Sequence, residues 1–300
     1  MSKRVFLIRW QRPAKLEEFL IPNEINWSYP DWMYNTEPFD KKIMTPTGKK
    51  IAQALERYPD VVFIEGLLQD FYGGSSVYYR FDSELDDSKE FDEQYAKEKD
   101  DYAGWPLYRV IFRDLFYSVF EPSPPVAKLI RDHMKSANLV PGKFSTSHYR
   151  AFYAVEHDKD VRTEDELKQK TENALNCASK LQPGDPVYFA SDSHAAVLSA
   201  SEMGAIRNRK IVVFDDEKEA LHLDKKDQWT SGNIADFYPT FVDLLVMAES
   251  KCMAHGVGGY GRFANILSFD PDCCILHDWP NPRKANKCNW IDSKDDIPNW

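Results

Sequence analysis

Val187 to Phe214 reads VYFASDSHAAVLSASEMGAIRNRKIVVF, and this stretch decides the fold. Val187 to Ala190 is an apolar run of strand length, Ser191-Asp192-Ser193 is a polar turn, and Ala195 to Gly204 carries a helical pattern. Lys210 to Phe214 returns to a strand. Working outward, Phe144 to Arg150 is strand-like. Thr163 to Leu181 is a helix with Thr163 as N-cap and Glu166 three residues on, the spacing of a capping box. Downstream come a helix at Phe237 to Ser250, a strand at Lys251 to His255 and a helix at Gly261 to Ser268. Strands alternating with helices imply an α/β fold with a parallel sheet and right-handed crossovers.

The first half is less regular. Val5 to Ile8 and Val61 to Ile64 suit short buried strands, Lys15 to Leu20 a helical turn, and Pro46 to Tyr58 a helix. Asn23 to Asp40, rich in Trp, Tyr, Pro and Asn, reads as an ordered loop. Asp82 to Asp101 is a charged, solvated stretch. Leu107 to Phe120 is an aromatic-rich helix. Pro122-Ser123-Pro124-Pro125 opens another helix that runs to about Ala137, because proline is favoured at a helix start. Leu139-Val140-Pro141-Gly142 reads as a boundary. The expected organisation is therefore 1–140, 141–268 and an irregular tail, 269–300.

Composition narrows the function classes. The chain has 300 residues, 43% of them apolar, and a net charge of −10. That balance argues against a general nucleic-acid binder, whose footprint is basic. A few convergent cations can still attract an anionic small ligand. No apolar run approaches the ~18 residues that span a bilayer, and no secretory signal pattern is visible after Met1. Cys177, Cys252, Cys273, Cys274 and Cys288 show no zinc spacing and are expected as buried thiols, with one or two disulfides near the C-terminus as the alternative. Asn26-Trp27-Ser28 has the form of an N-glycosylation sequon, a triplet common by chance.

Three segments carry polar groups to the carboxyl ends of strands, where an open α/β sheet leaves a crevice. The first is His148-Tyr149-Arg150. A guanidinium is always charged and its planar fork suits two phosphate oxygens, although a structural ion pair is the plainer use. The second is Ser191-Asp192-Ser193, which brings hydroxyls, a carboxylate and helix N-terminal amides together. Asp192 suits a base or ribose, and equally an N-cap. The third is Gly256-Val257-Gly258-Gly259-Tyr260-Gly261-Arg262, whose glycines allow close backbone approach and an anion nest. Asp243, early on the preceding helix, either caps it or reaches back to a ligand. Together they point to a pocket for a phosphorylated ligand.

In this order the segments resemble the fucosyltransferase superfamily that uses GDP-fucose, which includes the α1,6-fucosyltransferases and the protein O-fucosyltransferases. His148-Tyr149-Arg150 matches the family's H-x-R motif, Ala190-Ser191-Asp192 resembles its second motif, and Asp243 with the glycine loop its third. Arg4 to Trp10, with Arg12-Pro13 and Leu16 to Leu20, resembles an early strand and loop, and Phe116 to Val126 the helix before the second domain. The resemblance implies a GT-B arrangement, two Rossmann-like domains facing a cleft. It implies an inverting transfer with GDP-fucose as donor, no other cofactor and no essential metal. Arg150 would bind the β-phosphate and stabilise the departing GDP. His148 would shape the same pocket, Asp192, Ser193 and Asp243 would line the guanosine end, and amides at Gly258 and Gly259 would meet phosphate. Glu156 and Asp158 would be the candidates for a base toward a glycan or protein hydroxyl, or a solvated acidic turn around His157.

The resemblance also implies a secretory-pathway location, Golgi or ER lumen. The family's glycine-rich loop after its first strand has no counterpart, so the amino-terminal domain is expected to lack that strand and loop. An alternative follows: a catalytically inactive GDP-binding relative acting as a binding or regulatory module. A different α/β enzyme acting on a phosphorylated substrate is a third reading. The aromatic loop Trp27 to Trp32 either lines an acceptor cleft or is buried. Arg9 and Arg12 either face the cleft or form surface pairs.

Overall fold

The computed structural model describes residues 7–8, 10, 13–31, 42–44, 63–65, 113–152, 163–207, 210–215, 217–223, 233–256, 258–277 and 288–290. The chain divides into two compact units, 1–28 with 106–295, and 29–105 with 296–300. The expected boundary at residues 139–142 therefore falls inside the first unit. In chain order the described strands are β1 (Leu20–Pro22), β2 (Lys42–Met44), β3 (Phe63–Glu65), β4 (Phe120–Pro122), β5 (Ser145–Tyr149), β6 (Val187–Ser191), β7 (Ile211–Val212), β8 (Cys252–His255), β9 (Cys274–Leu276) and β10 (Asn289–Trp290). The longer described helices are α1 (Pro124–Ser136), α2 (Glu164–Leu181), α3 (His194–Arg207), α4 (Tyr238–Ala248) and α5 (Gly259–Leu267). In the second unit β2 and β3 form a parallel pair, and β3 overlaps the expected strand at 61–64. The expected helix at Pro46 to Tyr58 and the charged stretch Asp82 to Asp101 lie outside the described residues.

A six-stranded sheet in the order β10-β9-β8-β5-β6-β7 organises the first unit. β7, β6, β5, β8 and β9 are mutually parallel, and β10 closes the β9 edge antiparallel. The chain steps outward from β5 through α2 to β6 and through α3 to β7. It then returns through α4 to β8 on the other side of β5, and α5 leads to β9. Strand order thus reverses between β5 and β8, which is where open α/β sheets hold ligands.

Local chemistry accounts for the helices. The capping box at α2 is complete: Thr163 Oγ1 accepts from Glu166 N, and Glu166 Oε2 accepts from Thr163 N. α1 starts on Pro124-Pro125, as the sequence predicts. Tyr149, Val187, Phe189, Ala254 and Ile275 point to one face of the sheet. There they pack with Ala174, Leu175 and Ala178 of α2 and Ala196, Val197, Ala200 and Met203 of α3. α4 packs against both α1 and α5, and α5 packs against β8. Phe19 stacks on Phe241 of α4 with ring centroids 4.4 Å apart, and Phe116 meets Phe263 of α5 edge-on. Such pairs contribute about 1 kcal/mol each beyond area burial. Phe19 sits between the 3-10 turn Leu16–Glu18 and β1, and Phe116 lies on the helical stretch that leads into β4, the antiparallel partner of β1.

Three expectations are corrected. Leu7 and Ile8 are not in a strand, and Ile8 N instead donates to Trp27 O. Residues 269–300 are not simply an irregular tail, because β9 and β10 add two strands to the sheet. Strands this short leave no readable period. The cysteines are not all thiols: Cys177 bonds Cys288 and Cys252 bonds Cys273, while Cys274 is free and buried. Cα–Cα distances of 5.2 and 4.8 Å let the bridges form without moving the backbone.

Candidate functional site

Register brings the polar segments to one edge of the sheet. Tyr149 pairs with Ser191, and His148 pairs with both Ala190 and His255. His255 in turn pairs with Leu276. The next residues on each strand, Arg150, Asp192, Gly256 and His277, therefore leave the sheet side by side. Gly256 N donates back to His148 O at 3.2 Å, which ties the glycine loop to β5.

Arg150 lies across the glycine loop. A Cβ at Gly258 would sit 3.1 Å from Arg150 Cδ and 3.2 Å from its Nη1, and Gly258 has φ of +98°. Glycine is required there twice, for the backbone conformation and for the close approach of the guanidinium. Gly258 is also the N-cap of α5, with no side chain capping that helix. The amides of the first turn, beginning at Gly259, thus lie beside a fixed cation at the point where strand order reverses. Partial positive charge at a helix N-terminus and a guanidinium both favour an anion.

His148 is buried, and its ring is 5.1 Å from that of Tyr260, whose Oη donates to Thr240 O at 2.5 Å. Burial, then the neighbouring His255, His277 and Arg150, push its pKa well below the usual imidazole range. It is neutral at pH 7. Its carbonyl accepts from His277 Nε2 at 2.8 Å, and because a carbonyl only accepts, that ring nitrogen carries the proton. By the same logic His255 Nδ1 donates to Gly256 O at 2.9 Å.

Asp192 is 8% exposed. Its Oδ1 accepts from Ala151 N at 2.6 Å and its Oδ2 from Phe152 N at 3.4 Å, with His222 Nε2 3.6 Å away. Burial pushes its pKa up to about 6, against the pull of the Ala151 amide and of Arg150. The carboxylate on one loop therefore holds the backbone that directly follows Arg150 on the next. Ser193 is buried before α3, and its N donates to Ser191 Oγ at 3.2 Å. Asp243 receives a hydrogen bond from Tyr188 Oη. Tyr188 is near the start of β6, the opposite end of that strand from Asp192.

The structure thus brings His148, Arg150, Asp192, Gly258 and Gly259 to one sheet edge and holds Asp243 against Tyr188. Glu156 and Asp158, the candidate bases, lie outside the described residues, as do His157, Arg9, Arg12 and Trp32. Trp27 is fully buried, with Nε1 donating to Val119 O at 2.7 Å, and Tyr29 is 6% exposed. Both take the buried reading of the aromatic loop. Three residues were not anticipated. Glu219 Oε2 accepts from His194 N at 2.8 Å and so caps α3, Asp215 Oδ1 lies 2.8 Å from His194 Nε2, and His222 meets Asp192. All three sit on the acidic segment after β7, which has no motif to mark it. No described helix is long and apolar enough to cross a membrane.

No protein-family model and no curated protein matches the chain. Solved structures do. Arabidopsis thaliana FUT1, as a variant in complex with GDP, superposes with a TM-score of 0.56 at 10% identity, over 96% of this chain and 67% of that one. NodZ α-1,6-fucosyltransferase co-crystallised with GDP gives 0.44 at 12% identity, over 87% of this chain and 77% of that one. Fucosyltransferase NodZ from Bradyrhizobium gives 0.44 at 11%, over 93% and 83%. The first likeness shows the fold alone: a mixed α/β chain with a five-stranded parallel sheet, consistent with a Rossmann-like arrangement.

Proposed function

We propose that the chain is a glycosyltransferase that takes fucose from GDP-fucose and passes it to a glycan or protein hydroxyl, with inversion and without a metal. The observation that carries this reading is the Arg150 guanidinium lying over Gly258 beside the uncapped first turn of α5, at the reversal of strand order. FUT1, whose fold the chain shares, was solved with GDP bound. In this reading the diphosphate lies between Arg150 and the amides of Gly258 and Gly259. When the bond between the sugar and the β-phosphate breaks, negative charge builds on the leaving GDP. A cation already in position lowers that barrier without reorganising at the moment of reaction.

The remaining residues support that cation. Neutral His148 fills the floor beneath α5 without adding charge that would compete with Arg150. Asp192 fixes the loop that follows Arg150, and with Ser193 it lines the guanosine end, whereas Asp243, held by Tyr188 at the far end of β6, is left out of the pocket. Glu156 and Asp158 are the bases proposed for the acceptor hydroxyl. Two disulfides support an oxidising compartment such as the ER or Golgi lumen.

Calorimetric titration with GDP tests the reading. The wild-type chain binds GDP, Arg150→Ala abolishes binding, and turnover with GDP-fucose falls by at least ~10²-fold, by analogy with other lost charge stabilisers. A wild-type chain without GDP affinity, or an Arg150→Ala chain that binds GDP unchanged, rejects it.

A further inference from the structure

We infer that Asn26 is an N-glycosylation site. Asn26-Trp27-Ser28 is the single Asn-x-Ser/Thr triplet in the 300 residues. A triplet alone carries little, but four independent features of the structure bear on this one. First, Asn26 is exposed, and so are residues 23–25 before it. Second, the exposure is built in. Asn23 N donates to Val119 O, and both Glu24 N and Ile25 N donate to Ser118 O. Trp27 is fully buried with its indole N–H on Val119 O. The segment is therefore pinned on both sides of Asn26, which is held at the surface with the three residues before it.

Third, Ser28 N donates to Asn26 Oδ1 at 3.1 Å. The side-chain oxygen is occupied by its own turn, which sets the amide group and leaves Nδ2 as its reactive end. The turn also brings the serine of the triplet next to the asparagine it must accompany. Fourth, the Cys177–Cys288 and Cys252–Cys273 bridges require an oxidising compartment. Asparagine glycosylation belongs to secreted proteins. The covalent framework and the sequon thus ask for the same environment, although they share no residue.

The modification forms a bond between Asn26 Nδ2 and the anomeric carbon of an oligosaccharide. It breaks that carbon's bond to a lipid-linked diphosphate, which leaves with the electron pair, and one amide proton passes to solvent. The lipid-diphosphate oligosaccharide and the transferase that uses it are supplied by the secretory cell. The inference does not rest on the proposed nucleotide site, since the hydrogen bonds that pin the Asn26 segment run to Ser118 and Val119, and Arg150 and the glycine loop take no part in them.

The test is translation of the full chain behind a secretory signal in the presence of microsomes, followed by peptide-N-glycosidase and peptide mass spectrometry. The wild-type chain is expected to run faster on gels after the glycosidase, with Asn26 recovered as Asp. Asn26→Gln and Ser28→Ala are each expected to lose the shift entirely, and Ser28→Thr to retain it. Peptide mapping of the wild-type chain decides the matter even if a variant fails to fold. Recovery of the wild-type peptide wholly as unmodified Asn26, or a gel shift that survives Asn26→Gln, overturns the inference.

Discussion

Gly261→Ala is a direct measure of how closely α5 is pressed on the sheet. A Cβ at this position would sit 2.6 Å from His148 Nδ1, 3.2 Å from His148 Cγ and 2.9 Å from His255 Cβ. The last of these atoms is the root of a strand side chain and cannot swing aside. The His148 ring is buried and already meets Tyr260 on the helix side. Either α5 must lift or the ring must leave its place, and overpacking of this kind costs about 1–3 kcal/mol. Alanine is the better helix former by about 1 kcal/mol, which offsets part of that. Two contacts at 2.6 and 2.9 Å put the overpacking cost in the upper part of its range, about 2–3 kcal/mol, so the net expectation is a loss of roughly 1–2 kcal/mol. In urea, with a slope of about 2 kcal/mol/M, the midpoint falls by roughly 0.5–1 M with the slope unchanged. A midpoint that stays put or rises would mean that α5 does not rest on these two histidines, and the account of how the glycine loop is seated would fail with it.

Asp192 gives a pH-dependent prediction. Its carboxyl titrates at 3.8 when unperturbed and at about 6 in the fold. Between those values the native chain keeps a proton that the unfolded chain has released. Its contribution to stability therefore declines as pH rises through that window and is lowest above it, a change of roughly 3 kcal/mol. Asn keeps the acceptor for Ala151 N, so Asp192→Asn is expected to flatten this decline in urea midpoints taken from pH 4 to 7. A wild-type chain that gains stability relative to Asp192→Asn across that range contradicts the burial assigned here. Cys177 and Cys288 are 111 residues apart in sequence. Replacing both by Ala removes a loop constraint of ~5 kcal/mol in the chain-entropy account. Guanidinium unfolding of the two oxidised chains checks this, and equal midpoints would deny the bridge any part in stability.

Much of the carboxy-terminal half is legible in the sequence because its signals are local. Thr163 and Glu166 stand three residues apart and form the capping box that the spacing predicts. The apolar runs at 187 and 251 are bounded by turn residues and became β6 and β8. What the sequence hides is set by distance along the chain. Asp192 reads as a ligand for a base, yet its amide partners are some forty positions earlier, joined to it only when β5 and β6 pair. The cap on α3 comes from Glu219, 25 residues downstream. β9 and β10 are three and two residues long, too short for any period. Gly261 carries no sign that two histidines from different strands will meet it.

The bond between Cys177 and Cys288 turns most of the Rossmann-like half into a covalent ring. Any single peptide cleavage inside that ring, between β6 and β8 for instance, opens the circle without releasing a piece. A protease that nicks such a loop would leave one molecule by mass until a reductant was added, when two fragments would part. For a protein exposed to hydrolases, sulfur thus preserves integrity where the main chain has been severed.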